Sequence, residues 1–266
     1  MPIKDIVVSV DPSHTGRQRL ELAFRLAQRF GAHLLGYYVA PTVGEYVTAA
    51  DRKTVSAEDV AAGAERQFEE DLKRCRLEGR WLLSGEPVVE DIAGEIRTAD
   101  LAILGLGNPD SSALDEQGFR PDEVIVACGR PVLGLPIANL PKEIGRNVLL
   151  AWDGSRGGSR AMHDALPLLA DGASVTVLSV DAGEATRGSA RSAVAHLRRH
   201  GLAAEAREMP SAGMEIGQVV LAQCEYLRVD LVVAGAFGHS RLRESIVGGV
   251  SRTLLRQMMI PVLMSH

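Results

Sequence analysis

A run of glycines and hydroxyl residues near the C-terminus has the residue types of a phosphate-binding loop. It begins at Gly235 in the stretch GAFGHSRLRESIVGGVS, and its other small residues are Gly238, Ser240, Gly248, Gly249 and Ser251. Glycine allows backbone N–H groups to approach an anion without a Cβ atom in the way. Several such amides at the start of a helix, with hydroxyl donors nearby, favour phosphate groups. From the spacing alone, a surface loop that needs positive φ angles is an equally good interpretation.

An aspartate follows an apolar run at two places in the chain. Asp153 ends the stretch RNVLLAWD, and Asp11 ends the stretch KDIVVSVD. Each is followed by a turn residue and a serine, so each could simply form a turn and cap the next helix. In combination with the glycine-rich stretch, we favour a ligand contact for Asp153.

Motifs for metal binding and catalysis are weak. His196 and His200 are four residues apart on a predicted helix, as two zinc ligands would be. Arg198 and Arg199 lie between them and no acidic third ligand is in place, which favours a solvated helix face. The sequence contains no GxSxG, HExxH or GxxxxGK[ST] motif. We therefore predict a binding protein, with catalysis left undecided.

The composition argues against several classes of protein. The 266 residues include 29 Lys and Arg against 34 Asp and Glu, which gives a net charge of −5. A mildly acidic chain with few aromatic residues lacks the basic patches and stacking platforms of nucleic-acid-binding proteins. No apolar stretch reaches the roughly 18 residues that a membrane span requires. Cys75, Cys128 and Cys224 have no CxxC spacing, which disfavours a disulfide framework and favours the cytoplasm.

The chain contains an internal repeat, which must position these residues. DLAILGLGN begins at Asp100 and DLVVAGAFG begins at Asp230, and the Pro-Val-Leu segments that follow share the same offset of 130 residues. Asp11 and Asp153 are 142 residues apart, so the first half has 12 more residues, which we assign to the stretch Pro41–Val60. The polar segment 138–147 predicts a linker. We therefore predict two domains, at residues 1–138 and 146–266.

Strands alternate with helical patterns in each half. The strands predicted in the first half are Ile3–Val10, His33–Val39, Trp81–Ser84, Leu101–Gly105 and Val132–Leu135. Those in the second half are Val148–Trp152, Val175–Val180, Ala203–Arg207, Leu231–Gly235 and Val262–Met264. Near-continuous apolar runs such as LVVAG are typical of parallel strands that are covered on both faces. The alternation predicts the α/β class, in which ligands bind beyond the carboxyl ends of the strands where the strand order reverses.

The combined pattern resembles the universal stress protein family. Members of that family carry Gly-x2-Gly-x9-Gly-Ser/Thr after the fourth strand and an Asp after the first strand. Gly235, Gly238 and Gly248 match this spacing, whereas Gly249 replaces the Ser/Thr and Ser251 matches a later hydroxyl position. The resemblance covers both halves. It implies two tandem Rossmann-like domains of the HUP type, each with a five-stranded parallel sheet and helices on both faces.

The resemblance also implies ATP binding, with magnesium, in the second half. Asp153 would lie near the ribose and the metal-bound phosphates, and the backbone at Val180 would contact adenine. The residues that would surround the phosphates are Gly235, Gly238, His239, Ser240, Gly248, Gly249, Val250 and Ser251. The implied role is stress response or survival signalling in the cytoplasm, through nucleotide-dependent conformation or partner binding.

The 130-residue offset predicts that the corresponding site in the first half has decayed. Gly235 maps to Gly105, and Gly248 maps to Gly118. Asn108, Phe119 and Pro121 occupy the positions of Gly238, Gly249 and Ser251. Phe119 adds bulk and Pro121 removes an N–H donor, so we expect a single ATP for each chain.

Three further interpretations stay open at the sequence level. The halves could pair with each other through their last strands as an intramolecular pseudo-dimer, and a homodimer is also possible. A slow ATP hydrolase could use Asp153 to hold the metal and His239 to position water. An interaction module that binds no nucleotide is the third interpretation.

Overall fold

The computed structural model describes residues 3–40, 46–47, 54–85, 88–106, 119–137, 140, 143–237 and 249–266. The chain divides into two compact units, Met1–Arg130 and Pro131–His266. This division falls shortly before the linker that the sequence predicts, and the domain bounds 1–138 and 146–266 stay a prediction. None of the helices in the described ranges is both long enough and apolar enough to cross a membrane.

The first unit alternates strands and helices. Its elements in chain order are β1 (Asp5–Val10), α1 (His14–Phe30), β2 (His33–Val39), β3 (Tyr46–Val47), β4 (Thr54–Val55), α2 (Ala57–Cys75), β5 (Gly79–Ser84), α3 (Val89–Arg97), β6 (Leu101–Gly105) and α4 (Pro121–Cys128). Strands β6, β1, β2 and β5 are neighbours in that order and run parallel. Strands β3 and β4 form a small antiparallel pair inside the predicted insertion Pro41–Val60. The α/β class is confirmed.

Helix α1 shows how local sequence fixes the ends of these elements. The side chain of Ser13 accepts a hydrogen bond from the backbone N–H of Gly16, which caps the first turn. Gly31 ends the helix at φ 58°, a left-handed conformation that glycine adopts at low cost. Ala23 and Ala27 lie on the buried face, as the helical periodicity predicts.

The second unit repeats the alternation. Its elements are β7 (Val132–Leu135), β8 (Asn147–Ala151), α5 (Arg156–Ala165), a 3₁₀ turn (Leu166–Leu168), β9 (Ser174–Val180), α6 (Glu184–Arg199), β10 (Ala203–Met209), α7 (Ile216–Tyr226), β11 (Leu231–Gly235), α8 (Gly249–Gln257) and β12 (Val262–Ser265). Strands β10, β9, β8, β11 and β12 are neighbours in that order and run parallel. Strand β7 differs from the predicted all-parallel sheet, because it pairs antiparallel with β12 and belongs to this unit.

The strand order of the second unit determines where its helices lie. Right-handed crossovers place α5 and α6 on one face of the sheet and α7 and α8 on the other. The contacts agree, since the rings of His163 on α5 and His196 on α6 lie 4.9 Å apart. On the other side, Gln218 of α7 donates a hydrogen bond of 2.9 Å to Gln257 of α8. The order of the strands therefore reverses between β8 and β11, which is where ligands of such sheets bind.

Candidate functional site

A cavity of about 380 Å³ lies at this reversal point, beyond the carboxyl ends of β8, β9 and β11. Six of the ten predicted site residues are in the described part of the chain, and all six line this cavity: Asp153, Val180, Gly235, Gly249, Val250 and Ser251. The other four, Gly238, His239, Ser240 and Gly248, lie outside the described residues. The structure thus brings together residues that are up to 98 positions apart in the sequence.

One wall of the cavity is apolar. Leu178 on β9 and Val220 on α7 are buried, and Ile216 at the start of α7 is exposed toward the opening. Val180, the last residue of β9, is half-buried beside them. An apolar wall next to a strand end with backbone groups is suited to a flat heterocyclic ring.

The turn after β8 holds Asp153 at the rim of the cavity. Its Oδ1 atom accepts a hydrogen bond of 2.9 Å from the backbone N–H of Ser155. The side chain of Ser155 in turn caps α5 by accepting from the N–H of Gly158 at 3.0 Å. Gly154 adopts φ 75°, which glycine tolerates without strain. The hydrogen bond from Ser155 orients the carboxylate of Asp153. Because Asp153 is exposed, this carboxylate is accessible from the cavity.

Gly235 has a packing role that the sequence did not reveal. A Cβ atom at this position would lie 2.4 Å from the backbone nitrogen of Gly158 and 2.6 Å from the carbonyl carbon of Gly157. The end of β11 therefore packs directly on the first turn of α5, and only glycine fits. The signal in the sequence is Asp-x-Ser-x-x-Gly, which ends at Gly158 in the second half and at Gly16 in the first.

Ser251 closes the opposite side of the cavity. It lies in the first turn of α8, is 5% exposed, and accepts a hydrogen bond of 3.2 Å from the backbone N–H of Phe237. Phe237 adopts φ 52°, an uncommon angle for a residue other than glycine. This bond joins the end of β11 to the start of α8, where Gly249 and Val250 line the cavity.

Asp181 is a cavity residue that the sequence analysis missed. It follows Val180 with φ 48°, and its carboxylate accepts a hydrogen bond of 2.9 Å from the backbone N–H of Ser211. Hydrogen bonding to Ser211 holds the pKa of Asp181 below its usual value of 3.8. The bond fixes the loop after β9 and keeps a second negative charge beside the apolar wall.

The corresponding place in the first unit is organised differently. Asp11 is buried and forms an ion pair with Arg19, whose Nε also donates to the carbonyl oxygen of Ser9 at 2.7 Å. Burial by itself raises the pKa of Asp11, but Arg19 and hydrogen bonds from Ser13 outweigh it and lower that pKa below 3.8. Asp11 is therefore an internal anion that is already neutralised.

Aromatic rings occupy the region that matches the cavity. Phe119, which aligns with Gly249, is 2% exposed, and its ring centroid lies 6.4 Å from that of Tyr37 in an edge-to-face arrangement. Pro121 begins α4 at a position where its missing N–H costs nothing to the helix. Gly105 ends β6 as predicted, whereas Asn108 and Gly118 lie outside the described residues.

The histidine pair on α6 has a third neighbour. His196 and His200 have ring centroids 4.6 Å apart, and His163 from α5 approaches His196. Among the described residues, no group of three His, Cys, Asp or Glu side chains is arranged to hold a metal ion. The exposed carboxylate of Asp153 fits magnesium that arrives with phosphate groups, since magnesium is usually bound by one or two carboxylates together with substrate phosphates.

Comparisons with known proteins give a family match for the second half of the chain. Residues 145–266 match the model of the universal stress protein family. A universal stress protein from Archaeoglobus fulgidus has a TM-score of 0.75 at 14% identity, covering 97% of this chain and 94% of that chain. A functionally unknown protein from Pseudomonas aeruginosa has a TM-score of 0.62 at 15% identity, covering 98% and 92%.

A further solved structure matches about half of the chain. It is a universal stress protein from Archaeoglobus fulgidus in complex with dAMP, with a TM-score of 0.35 at 19% identity, covering 50% of this chain and 98% of that chain. A comparison with curated proteins found no match. At identities this low, the two structures with TM-scores of 0.75 and 0.62 establish the fold alone. The family match carries the identification, and residues 145–266 therefore belong to the universal stress protein family.

Proposed function

We propose that the second unit binds ATP as its magnesium complex in the cavity between β8, β9 and β11. The observation that carries this proposal is the convergence of the predicted site residues. Asp153, Val180, Gly235 and Ser251 come from four separate segments, and all of them line the same 380 Å³ cavity. A volume of this size is within the range of small-molecule sites.

Each wall of the cavity would take a different part of the nucleotide. Adenine would pack on Leu178 and Val220 while its edge meets the backbone at Val180. The exposed Asp153 carboxylate would orient the ribose and face the metal-bound phosphates. The backbone amides at Gly249 and the hydroxyl of Ser251, at the start of α8, would bind phosphate oxygens. Magnesium, when bound, would neutralise part of the phosphate charge.

We propose no equivalent site in the first unit. Phe119 aligns with Gly249, and Tyr37 matches Leu178 because it pairs with Ser9 on β1 as Leu178 pairs with Ala151 on β8. In the first unit these two rings pack edge to face. The Asp11 carboxylate is paired with Arg19 and is withdrawn from solvent. We therefore expect one ATP for each chain, with the first unit as a structural partner.

The cellular role follows from the family and is part of this proposal. Bound ATP would alter conformation or partner binding during a stress response in the cytoplasm. The pairing of the two halves as a pseudo-dimer, and a homodimer, stay predictions.

Calorimetric titration of the full chain with Mg-ATP tests the proposal. We expect saturation near one equivalent for each chain. Two equivalents would show that the first unit also binds, and no heat of binding up to millimolar ATP would refute the site. Mass spectrometry of ligand released from the purified protein then separates the alternatives. Bound ATP supports a binding protein, whereas ADP with measurable turnover supports the hydrolase.

A further inference from the structure

A second cavity of about 490 Å³ lies next to the first in the second unit, and Phe237 lines both. Its charged side chains are Arg156 and Arg160, both on α5, and the imidazole of His266 also lines it. Ser155, Gly157 and Ala236 complete the lining. Among the described residues of this lining there is no carboxylate side chain, so the two charged side chains of the cavity are both cationic.

Contacts within the protein hold part of this lining in place. Arg160 donates a hydrogen bond to the backbone oxygen of His266. The Nδ1 atom of His266 lies 3.0 Å from the carbonyl oxygen of Ala236, at the exit of β11. Arg156 is exposed and one helical turn before Arg160, so both guanidinium groups belong to the same side of α5. Planar guanidinium groups in such pairs bind phosphoryl oxygens well, because each can donate two parallel hydrogen bonds.

The first unit lacks this pair at the matching positions. The 142-residue offset maps Arg156 to His14 and Arg160 to Gln18. These two side chains contact each other, with 3.3 Å between the Gln18 amide nitrogen and the His14 imidazole. The two arginines therefore occur only in the half that keeps the glycine motif, beside the same Asp-x-Ser-x-x-Gly turn.

We propose that the cavity formed by Arg156 and Arg160 binds a phosphoryl group. This inference rests in part on the proposed function, because the adjoining cavity is the proposed nucleotide site and Phe237 connects the two linings. The phosphoryl group has two possible sources. It is either the end of the phosphate chain of the nucleotide or a separate phosphate bound beside a mononucleotide.

The test compares the Arg156→Gln variant with wild-type protein by calorimetry, using AMP, Mg-ATP and inorganic phosphate as probes. Arg156 is exposed, so its loss should not impair folding, which the far-UV circular dichroism spectrum checks. The matched control is Arg191→Gln, which removes the same charge from an exposed position on α6 away from both cavities.

If the site holds the end of the nucleotide, Arg156→Gln should weaken Mg-ATP binding by roughly tenfold and leave AMP binding unchanged. If it holds a separate anion, the variant should lose binding of inorganic phosphate measured in saturating AMP. Either result supports the site. Unchanged affinity for all three probes, or an equal loss in Arg191→Gln, would overturn it.

Failure of the proposed function gives a different result. If wild-type protein binds neither AMP nor Mg-ATP but binds phosphate, and Arg156→Gln abolishes that binding, the cationic cavity stands and the nucleotide site falls. If nucleotides bind at one equivalent with no contribution from Arg156, and Arg156→Gln also leaves the binding of inorganic phosphate in saturating AMP unchanged, the nucleotide site stands and the cationic cavity falls.

Discussion

The two units use the same turn after their first strand for different purposes. Asp11 and Asp153 each accept a hydrogen bond of 2.9 Å from the backbone N–H of the serine two residues later. In the first unit Arg19 reaches the carboxylate, and both side chains are buried. In the second unit the matching position is Ala161, and Asp153 is exposed at the rim of the cavity. The carboxylate is therefore part of an internal ion pair in the first unit and is accessible in the second.

A second pair of matching positions also differs between the two units. Phe119 and Tyr37 pack edge to face in the first unit, whereas the residues at the matching positions of the second unit, Gly249 and Leu178, line a cavity. The backbone frame is shared, including the glycine that lets the helix start close to the turn. The comparison shows that two units with the same strand and helix order differ in a few side chains at the ends of their strands, which are packed together in the first unit and line a cavity in the second.

The strongest test of this contrast is Arg19→Ala. The substitution gives the first unit the alanine that the second unit already has, but it leaves Asp11 buried without its cation. Breaking one partner of a buried ion pair costs about 3–5 kcal/mol. Urea denaturation of the full chain should show a loss of this size.

Two further variants make the result interpretable. Arg25→Ala, on the exposed face of the same helix, should change the free energy of unfolding by less than about 0.5 kcal/mol. The double variant Arg19→Ala with Asp11→Asn should recover part of the loss, because no buried charge is left. A loss below about 1 kcal/mol for Arg19→Ala would contradict a structural ion pair.

Transplanting the aromatic ring tests the second contrast. The substitution Gly249→Phe places at the cavity of the second unit the phenylalanine that the first unit has at the matching position, Phe119. A Cβ atom at Gly249 would contact no atom of the described residues within 4 Å, so the chain should still fold. We expect Mg-ATP affinity to fall by at least about a hundredfold, since ring and ligand would compete for one volume.

The size of the side chain supplies the control for that prediction. Gly249→Ala adds only one methyl group and should weaken binding far less than Gly249→Phe. Calorimetry on both variants, with melting curves to verify folding, gives the comparison. Full Mg-ATP affinity in a folded Gly249→Phe protein would mean that the nucleotide does not occupy this cavity.

Much of the frame could be predicted from the sequence because the strands are continuous apolar runs. The predicted strand Leu231–Gly235 coincides with β11, and the predicted His33–Val39 coincides with β2. The first run ends at a glycine, and the second ends two residues before Pro41. The antiparallel direction of the pair formed by β7 and β12 was not predicted, since strand direction depends on tertiary contacts that no local pattern carries.

The site was only partly predictable, because some of its contacts join residues that are far apart in the sequence. The repeat offset and the motif located Asp153 and Ser251, which do line the cavity. The contact of Gly235 with Gly158 joins residues 77 positions apart and is visible only in the fold. The ion pair of Asp11 with Arg19 had a local signal, because an arginine stands among apolar residues on the inner face of α1. That signal was not used.

Asp153→Ala should have a smaller effect on stability than Arg19→Ala, and it tests the contrast between Asp11 and Asp153. The side chain accepts one hydrogen bond from the backbone of the turn, and its loss should cost about 1 kcal/mol of stability. If Asp153 also contacts ribose or metal-bound phosphate, Mg-ATP affinity should fall by roughly tenfold or more. Calorimetry and urea denaturation on the same sample separate the two effects. A lower stability with unchanged affinity would assign Asp153 to the turn alone.

Acid should act on the two units in different pH ranges, and this is the smallest effect we predict. Burial, together with His163 and His200, lowers the pKa of His196 below its usual 6.5. The unfolded chain therefore binds this proton more readily, and stability of the second unit should begin to fall as the pH drops below 6.5. The pKa of Asp11 is also lowered in the folded state, so its contribution to stability is present above pH 3.8 and is lost only below that value.

Melting temperatures measured between pH 7.5 and 5.5 should therefore decrease less in His196→Gln than in wild type. His14→Gln, an exposed histidine of the first unit, should follow the wild-type profile. Identical pH profiles for wild type and His196→Gln would show that the histidine cluster does not contribute to this difference between the units.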